Sequence, residues 1–122
     1  MPKRVLLVGH CGVDGPRLKT EIESSLRGVE AERINSDDDL RRAGEEGGDL
    51  FLVNREPVGF TRKGLDIVRS LCRDFPGAKV MLVSDYPDAQ EEAARAGALP
   101  GFGKQDIGSP KLTDTVRKAI DA

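Results

Sequence analysis

Lys104, Ser84, Asn54 and His10 carry groups that could hold an anion: an ammonium, a hydroxyl, a carboxamide and an imidazole. With backbone N–H groups from the turn that contains Gly9, Gly12 and Gly15, they would form a phosphate cradle. Asp14, Glu56 and Asp85 are the carboxylates that could join them, either by pairing with Lys104 or by offering oxygen to a hard divalent ion. His10 stands beside Cys11, a nitrogen–sulfur pair suited to a soft metal, but no second ligand pair exists elsewhere in the sequence. Ser84 lacks the tight glycine-flanked turn that a hydrolase nucleophile uses. Gly9, Gly12 and Gly15 do not have the spacing of a dinucleotide fingerprint, and no P-loop lysine–hydroxyl pair follows them. They are expected to serve turn geometry.

These residues matter only if the chain brings them together, and the hydropathy pattern says how it would. Five short apolar runs alternate with helical patterns. The runs cover residues 5–8, 29–34, 50–53, 80–83 and 99–103. The first, third and fourth are unbroken, as suits strands covered on both faces of a parallel sheet. The second alternates apolar with charged residues, and the fifth contains Pro100 and two glycines, so both read as edge strands. Between them, Leu18, Ile22 and Leu26 recur every four residues after Pro16 and before Gly28. Ser36 is placed to cap a second helix, with Asp39 three residues on and Leu40 and Ala43 facing inward. A third helix follows Gly64, with Ile67, Val68, Leu71 and Cys72 on one face and Pro76-Gly77 ending it. Pro87 opens an alanine-rich fourth that ends at Gly97. Ser109-Pro110 opens a fifth with the stripe Leu112, Val116, Ala119 and Ile120.

Strand–helix repeated five times predicts right-handed crossovers and an open parallel sheet, an α/β fold in one domain over residues 1–122. In such sheets the working site lies outside the carboxyl ends of the strands. That places Gly9 to Gly15, Asn54 to Gly59, Ser84-Asp85 and Lys104 at one end of the molecule, the same residues that could do chemistry.

The whole-chain balance excludes several classes. At 122 residues the chain can bury a core without a disulfide or metal staple. Its net charge of −2 argues against a nucleic-acid binder, which would more often be basic. Cys11 and Cys72 are expected as reduced thiols. The apolar stretch at residues 5–8 is too short for a signal-peptide core or a membrane span, so a cytoplasmic protein without a membrane partner is expected. Arg41-Arg42 and Arg62-Lys63 are short basic pairs expected on solvated surfaces.

Three segments in order resemble the response-regulator receiver domain over nearly the whole chain. Asp49-Leu50-Phe51-Leu52-Val53-Asn54 is similar to the strand that ends in the phosphoacceptor, and Val80-Met81-Leu82-Val83-Ser84 to the strand that ends in the Thr/Ser switch. Ala96-Gly97-Ala98, with Lys104 beyond it, is similar to the stretch that leads to the family's lysine. The resemblance implies a flavodoxin-like, doubly wound five-stranded parallel sheet in the order 2-1-3-4-5, with helices on both faces. Flavodoxins themselves need a hydroxyl-rich phosphate loop, and residues 9–15 contain no Ser or Thr. The cobalamin-domain pattern fails as well, because Val8 and Val13 stand where its Asp and Gly would be.

The resemblance also implies where the family's chemistry is lost. The phosphoacceptor position holds Asn54, a neutral amide that cannot form an acyl phosphate. The acidic pair that helps hold the divalent ion is replaced by Gly9 and His10. Ser84 and Lys104 are retained. Gly101 stands at the switch-aromatic position, with Phe102 next to it. Pro57 comes a residue early and the following helix about two residues late. The expectation is a pseudo-receiver: no enzyme, no cofactor, and signalling of two-component type through protein–protein contact without phosphorylation. Lys104 is expected to pair with Asp14, Glu56 or Asp85. The family's fourth-helix, fifth-strand, fifth-helix face, here residues 87–97, 99–103 and 109–122 with Leu99, Phe102 and Leu112, is the expected surface for a partner or a homodimer. The alternatives are a small-ligand sensor binding an anion or nucleotide in the altered pocket, and a receiver that still switches through one of the remaining carboxylates.

Overall fold

The computed structural model describes residues 2–121. Five parallel strands form one sheet: β1 (Lys3–Val8), β2 (Val29–Ile34), β3 (Leu50–Asn54), β4 (Val80–Val83) and β5 (Leu99–Phe102). Their spatial order is β2-β1-β3-β4-β5, as expected. The connecting helices are α1 (Asp14–Ser25), α2 (Asp37–Glu46), α3 (Gly64–Asp74), α4 (Pro87–Arg95) and α5 (Pro110–Asp121), with a short 3₁₀ turn over Lys104–Asp106.

Side chains alternate across each strand, so each central strand feeds two cores. Val5, Leu7, Leu50, Leu52, Met81 and Val83 face α1 and α5, where Leu18, Ile22, Leu112 and Val116 cover them. Leu6, Val8, Phe51, Val53, Val80 and Leu82 face Leu40 of α2, Ile67 and Leu71 of α3, and Ala93 of α4. Burial on both sides is why these runs are unbroken. The edge strand β2 buries only Ala31 and Ile34 and exposes Glu30, Glu32 and Arg33. Pro100 is tolerated in β5 because that strand is the other edge.

The helix starts follow local chemistry. Ser36 Oγ accepts the Asp39 backbone N–H at 3.2 Å, capping α2 beside three first-turn aspartates. α1 begins at Asp14 rather than at Pro16, which occupies its first turn and so leaves no intrahelical bond unmade. Of Gly9, Gly12 and Gly15, only Gly9 has a positive φ, at +74°. Gly15 lies inside α1, under the Arg33 guanidinium.

One expectation about the surface is corrected. Phe102 is 1% exposed and Leu112 is fully buried, and Leu99 packs partly buried against the same core. Residues three apart on a regular strand point to opposite faces, yet Leu99 and Phe102 share one. The register of β5 against β4 shifts between Met81 and Val83, and this irregularity turns Phe102 inward. These residues hold the fold and do not form an exposed docking face. The exposed large apolar side chains among the described residues are Val13, Val58 and Tyr86, in the loops that follow β1, β3 and β4.

Candidate functional site

The register Val8↔Val53 places the end of β1 beside Asn54, and Asn54 pairs with Val83 of β4. Asn54 is 4% exposed. Its Nδ2 donates to the Gly9 carbonyl at 2.9 Å and to the Glu56 carbonyl at 3.1 Å. Two carbonyl partners identify that atom as the nitrogen, since an oxygen there would face two oxygens. Asn54 is therefore a strut between the end of β1 and the loop after β3. Asn54 Oδ1 is buried with no hydrogen-bond partner.

Gly9 is constrained from a second side. A Cβ there would lie 2.3 Å from Pro57 Cβ. The early proline thus fills the space a side chain at residue 9 would need, and the positive φ disfavours any such side chain. The loop after β3 is tied down further. Val58 N–H donates to the Gly9 carbonyl at 2.8 Å, and Asn35 Nδ2 donates to the Val58 carbonyl at 3.0 Å. Gly59 has a φ of +90° and lies directly against the Asn35 carbonyl, where only glycine fits.

His10 is 1% exposed. Its Nε2–H donates to the Leu52 carbonyl at 2.9 Å, which fixes the tautomer and leaves Nδ1 as a bare, buried acceptor. Burial holds the imidazole pKa down to about 4, against the opposing pull of the Leu52 carbonyl and, more weakly, Asp14, with the Lys104 and Arg33 charges adding to the effect. At neutral pH His10 is an uncharged core group. Cys11 is free, half-buried, and its Sγ accepts the Asp14 N–H at 3.3 Å.

The three candidate carboxylates have separate partners. Asp14 is the one that reaches Lys104, with Oδ2 at 3.6 Å from Nζ, and its other oxygen lies 4.0 Å from Arg17. Glu56 pairs with Arg55 at 3.2 Å, and that guanidinium sits 4.6 Å from the Tyr86 ring centroid. Asp85 Oδ1 accepts the Gln105 N–H at 3.3 Å. Among the described residues, no group of three or more His, Cys, Asp or Glu is placed to hold a metal ion. Ser84 is 6% exposed and its Oγ accepts the Tyr86 N–H at 3.1 Å. Asn54, Val83 and Ser84 line a cavity of about 230 Å³ with Arg55, Glu56, Asp85, Tyr86 and Lys104.

Two contributors were not legible in the sequence. Gln90 lies in a helix that reads as polar surface, yet its Nε2 donates to the Leu82 and Ser84 carbonyls at 2.9 and 3.0 Å, sealing the end of β4. Pro57 stands out only as a proline one position early, and its contact with Gly9 needs the folded loop.

No family model and no curated protein matches the sequence. Solved structures do match in fold. A response regulator from Thermotoga maritima is 22% identical, with all of both chains covered and a TM-score of 0.80. A CheY-like receiver domain protein from Methanospirillum hungatei is 19% identical over 99% of this chain and 95% of its own, with a TM-score of 0.82. A response regulator protein from Burkholderia pseudomallei, solved with a phosphorylated aspartic acid and a calcium ion, is 21% identical over 97% of this chain and 66% of its own, with a TM-score of 0.73. No helix among the described residues is long and apolar enough to cross a membrane. The strand order, the five helices and these likenesses together give one conclusion: the chain has the CheY-like, flavodoxin-type fold of response-regulator receiver domains.

Proposed function

We propose that this chain is a pseudo-receiver, a signalling module of two-component type that acts by binding other proteins and takes no phosphoryl group. The observation that carries the reading is the Asn54 amide, whose nitrogen is committed to the Gly9 and Glu56 carbonyls. A carboxylate nucleophile at that position would point its charge at two carbonyl oxygens. The metal side supports the same reading. Pro57 fills the space beside Gly9, His10 is buried and neutral, and Asp14, Glu56 and Asp85 serve separate partners. On this reading the chain is not an enzyme and needs no cofactor. Its contact with a protein partner involves the exposed Val13, Val58 and Tyr86 rather than the buried Phe102 and Leu112.

Amide NMR spectra recorded with and without Mg²⁺ and beryllofluoride, a mimic of an aspartyl phosphate, test it. No shifts are expected at Asn54, Ser84 or Lys104. Saturable shifts there would overturn the reading and direct attention to Asp14, Glu56 or Asp85 as an acceptor.

A further inference from the structure

We propose that the groove between α3 and α4 binds a phosphate dianion, free or as a small monoester, held by Arg73 and Arg95. The groove shares no lining residue with the cavity beside Asn54, and the proposal is independent of the pseudo-receiver reading.

Arg69, Cys72 and Arg73 on one wall and Glu92, Arg95 and Ala96 on the other line a cavity of about 510 Å³. Arg69 and Glu92 mark where the two helices face each other, with guanidinium and carboxylate 3.6 Å apart across the groove. One turn further toward both C-termini, Arg73 takes the place of Arg69 and Arg95 that of Glu92. An arginine there stands opposite an arginine, and no carboxylate lines the groove at that level. The Arg95 guanidinium is exposed and has no ion-pair or hydrogen-bond partner among the described residues. Arg73 pairs with Asp74 at 2.8 Å, but Asp74 lines the cleft between α2 and α3 rather than this groove.

The charges select the ligand. Glu92 is the carboxylate lining the groove, and Arg69 balances it while also meeting Asp66 at 3.1 Å. An incoming anion is therefore left to Arg73 and Arg95. The Arg73–Asp74 pair is exposed on both sides, and such pairs contribute little, so Arg73 can turn to a ligand. A phosphate dianion offers two oxygens to each guanidinium, the geometry that arginine matches best. Cys72 is a free thiol whose pKa burial pushes up, so it stays protonated and adds no negative charge. With Ala96 it gives the groove an apolar lining for the organic part of a monoester. The volume lies within the range of about 300–1,000 Å³ for small-molecule sites.

Adenosine monophosphate, inorganic phosphate and adenosine are the probes, titrated into the labelled full chain at physiological ionic strength. Amide and arginine Nε NMR provide the readout. Saturable shifts are expected at Arg73, Arg95, Cys72 and Ala96 with both phosphates and none with adenosine. Tighter binding of the nucleotide supports the proposal with a monoester as the ligand, and equal binding supports it with free phosphate. Arg95→Gln is expected to weaken nucleotide binding about tenfold, through one lost charge-assisted hydrogen bond. Arg41→Gln, which removes an exposed arginine on α2, is expected to change it by less than about twofold. Equal losses in the two variants would show that only net charge is felt, and overturn the proposal. So would absence of saturation, equal binding of adenosine, or shifts confined to Ser84 and Lys104. Arg95 has no partner to lose, and the comparison of probes uses the unaltered chain, so the test does not depend on a damaged fold.

Discussion

Gly9 lies so close to Pro57 that a β-carbon on residue 9 would sit 2.3 Å from Pro57 Cβ. No L side chain fits at residue 9 without moving the loop after β3, and the φ of +74° adds backbone strain to the overlap. Gly9→Ala is expected to destabilise the protein by about 2 kcal/mol or more. In a Pro57→Gly background the contact with Pro57 Cβ is removed, while the overlap with the residue 57 Cα at 2.6 Å and about 1 kcal/mol of backbone cost should remain. The two substitutions are therefore expected to be non-additive in urea denaturation, and simple additivity would count against the contact.

Replacing the strut has a cost of its own. Asn54→Asp removes both donors and sets a carboxylate against the Gly9 and Glu56 carbonyls. A loss of about 1–3 kcal/mol at neutral pH is expected from denaturant midpoints. The variant should also fail to gain a phosphoryl adduct from acetyl phosphate and Mg²⁺, measured by intact-protein mass spectrometry. If the Asn54→Asp protein were instead stable and gained the adduct, the loop after β3 would have to open readily.

Acid should act first through His10. Its pKa is 6.5 when unfolded and about 4 in the fold, so the unfolded chain takes up the proton earlier as pH falls. The fold keeps its full stability from this group above about pH 6.5 and loses it progressively toward pH 4. At about 1.4 kcal/mol per pH unit, the loss over that window is about 3 kcal/mol. The carboxylate of Glu23, held low by the Ala31 N–H and Lys19, adds a loss of the same sign only at lower pH. His10→Gln should flatten the upper part of the profile, and an unchanged slope between about pH 6.5 and 5 would remove His10 as the cause.

Truncation separates core from surface at the far edge of the sheet. Phe102→Ala is expected to cost about 3–5 kcal/mol and Leu112→Ala about 2–5 kcal/mol, the range for buried side chains. Tyr86→Ala, at a residue 59% exposed and stacked only on Arg55, should cost about 1 kcal/mol or less. Thermal unfolding of the three variants gives the comparison. A mild effect at Phe102 would restore that residue as a surface contact.

Much of the architecture was legible because it depends on neighbours in sequence. The unbroken apolar runs at β1, β3 and β4 report burial on two faces, and the charged alternation of β2 and Pro100 in β5 report edges. Ser36 marks a helix start through a bond spanning three residues. The site residues were legible as a group for the same reason, since they follow strands, and parallel strands end together.

What the residues do to one another depended on the tertiary structure. The sequence by itself determined that an amide, Asn54, ends the third apolar run, that carboxylates are absent at residues 9 and 10, and that Asp14, Glu56 and Asp85 follow the first, third and fourth runs. It could not choose Asp14 among the three, because that pairing requires α1 and the turn after β5 to meet. It could not show that Phe102 points inward, because a register shift against β4 reverses the side-chain alternation that local pattern assumes. The Asn54 strut and the Gly9–Pro57 contact join residues more than forty positions apart. Periodicity and capping are local physics, whereas such contacts exist only once the sheet has set the register of β1 against β3.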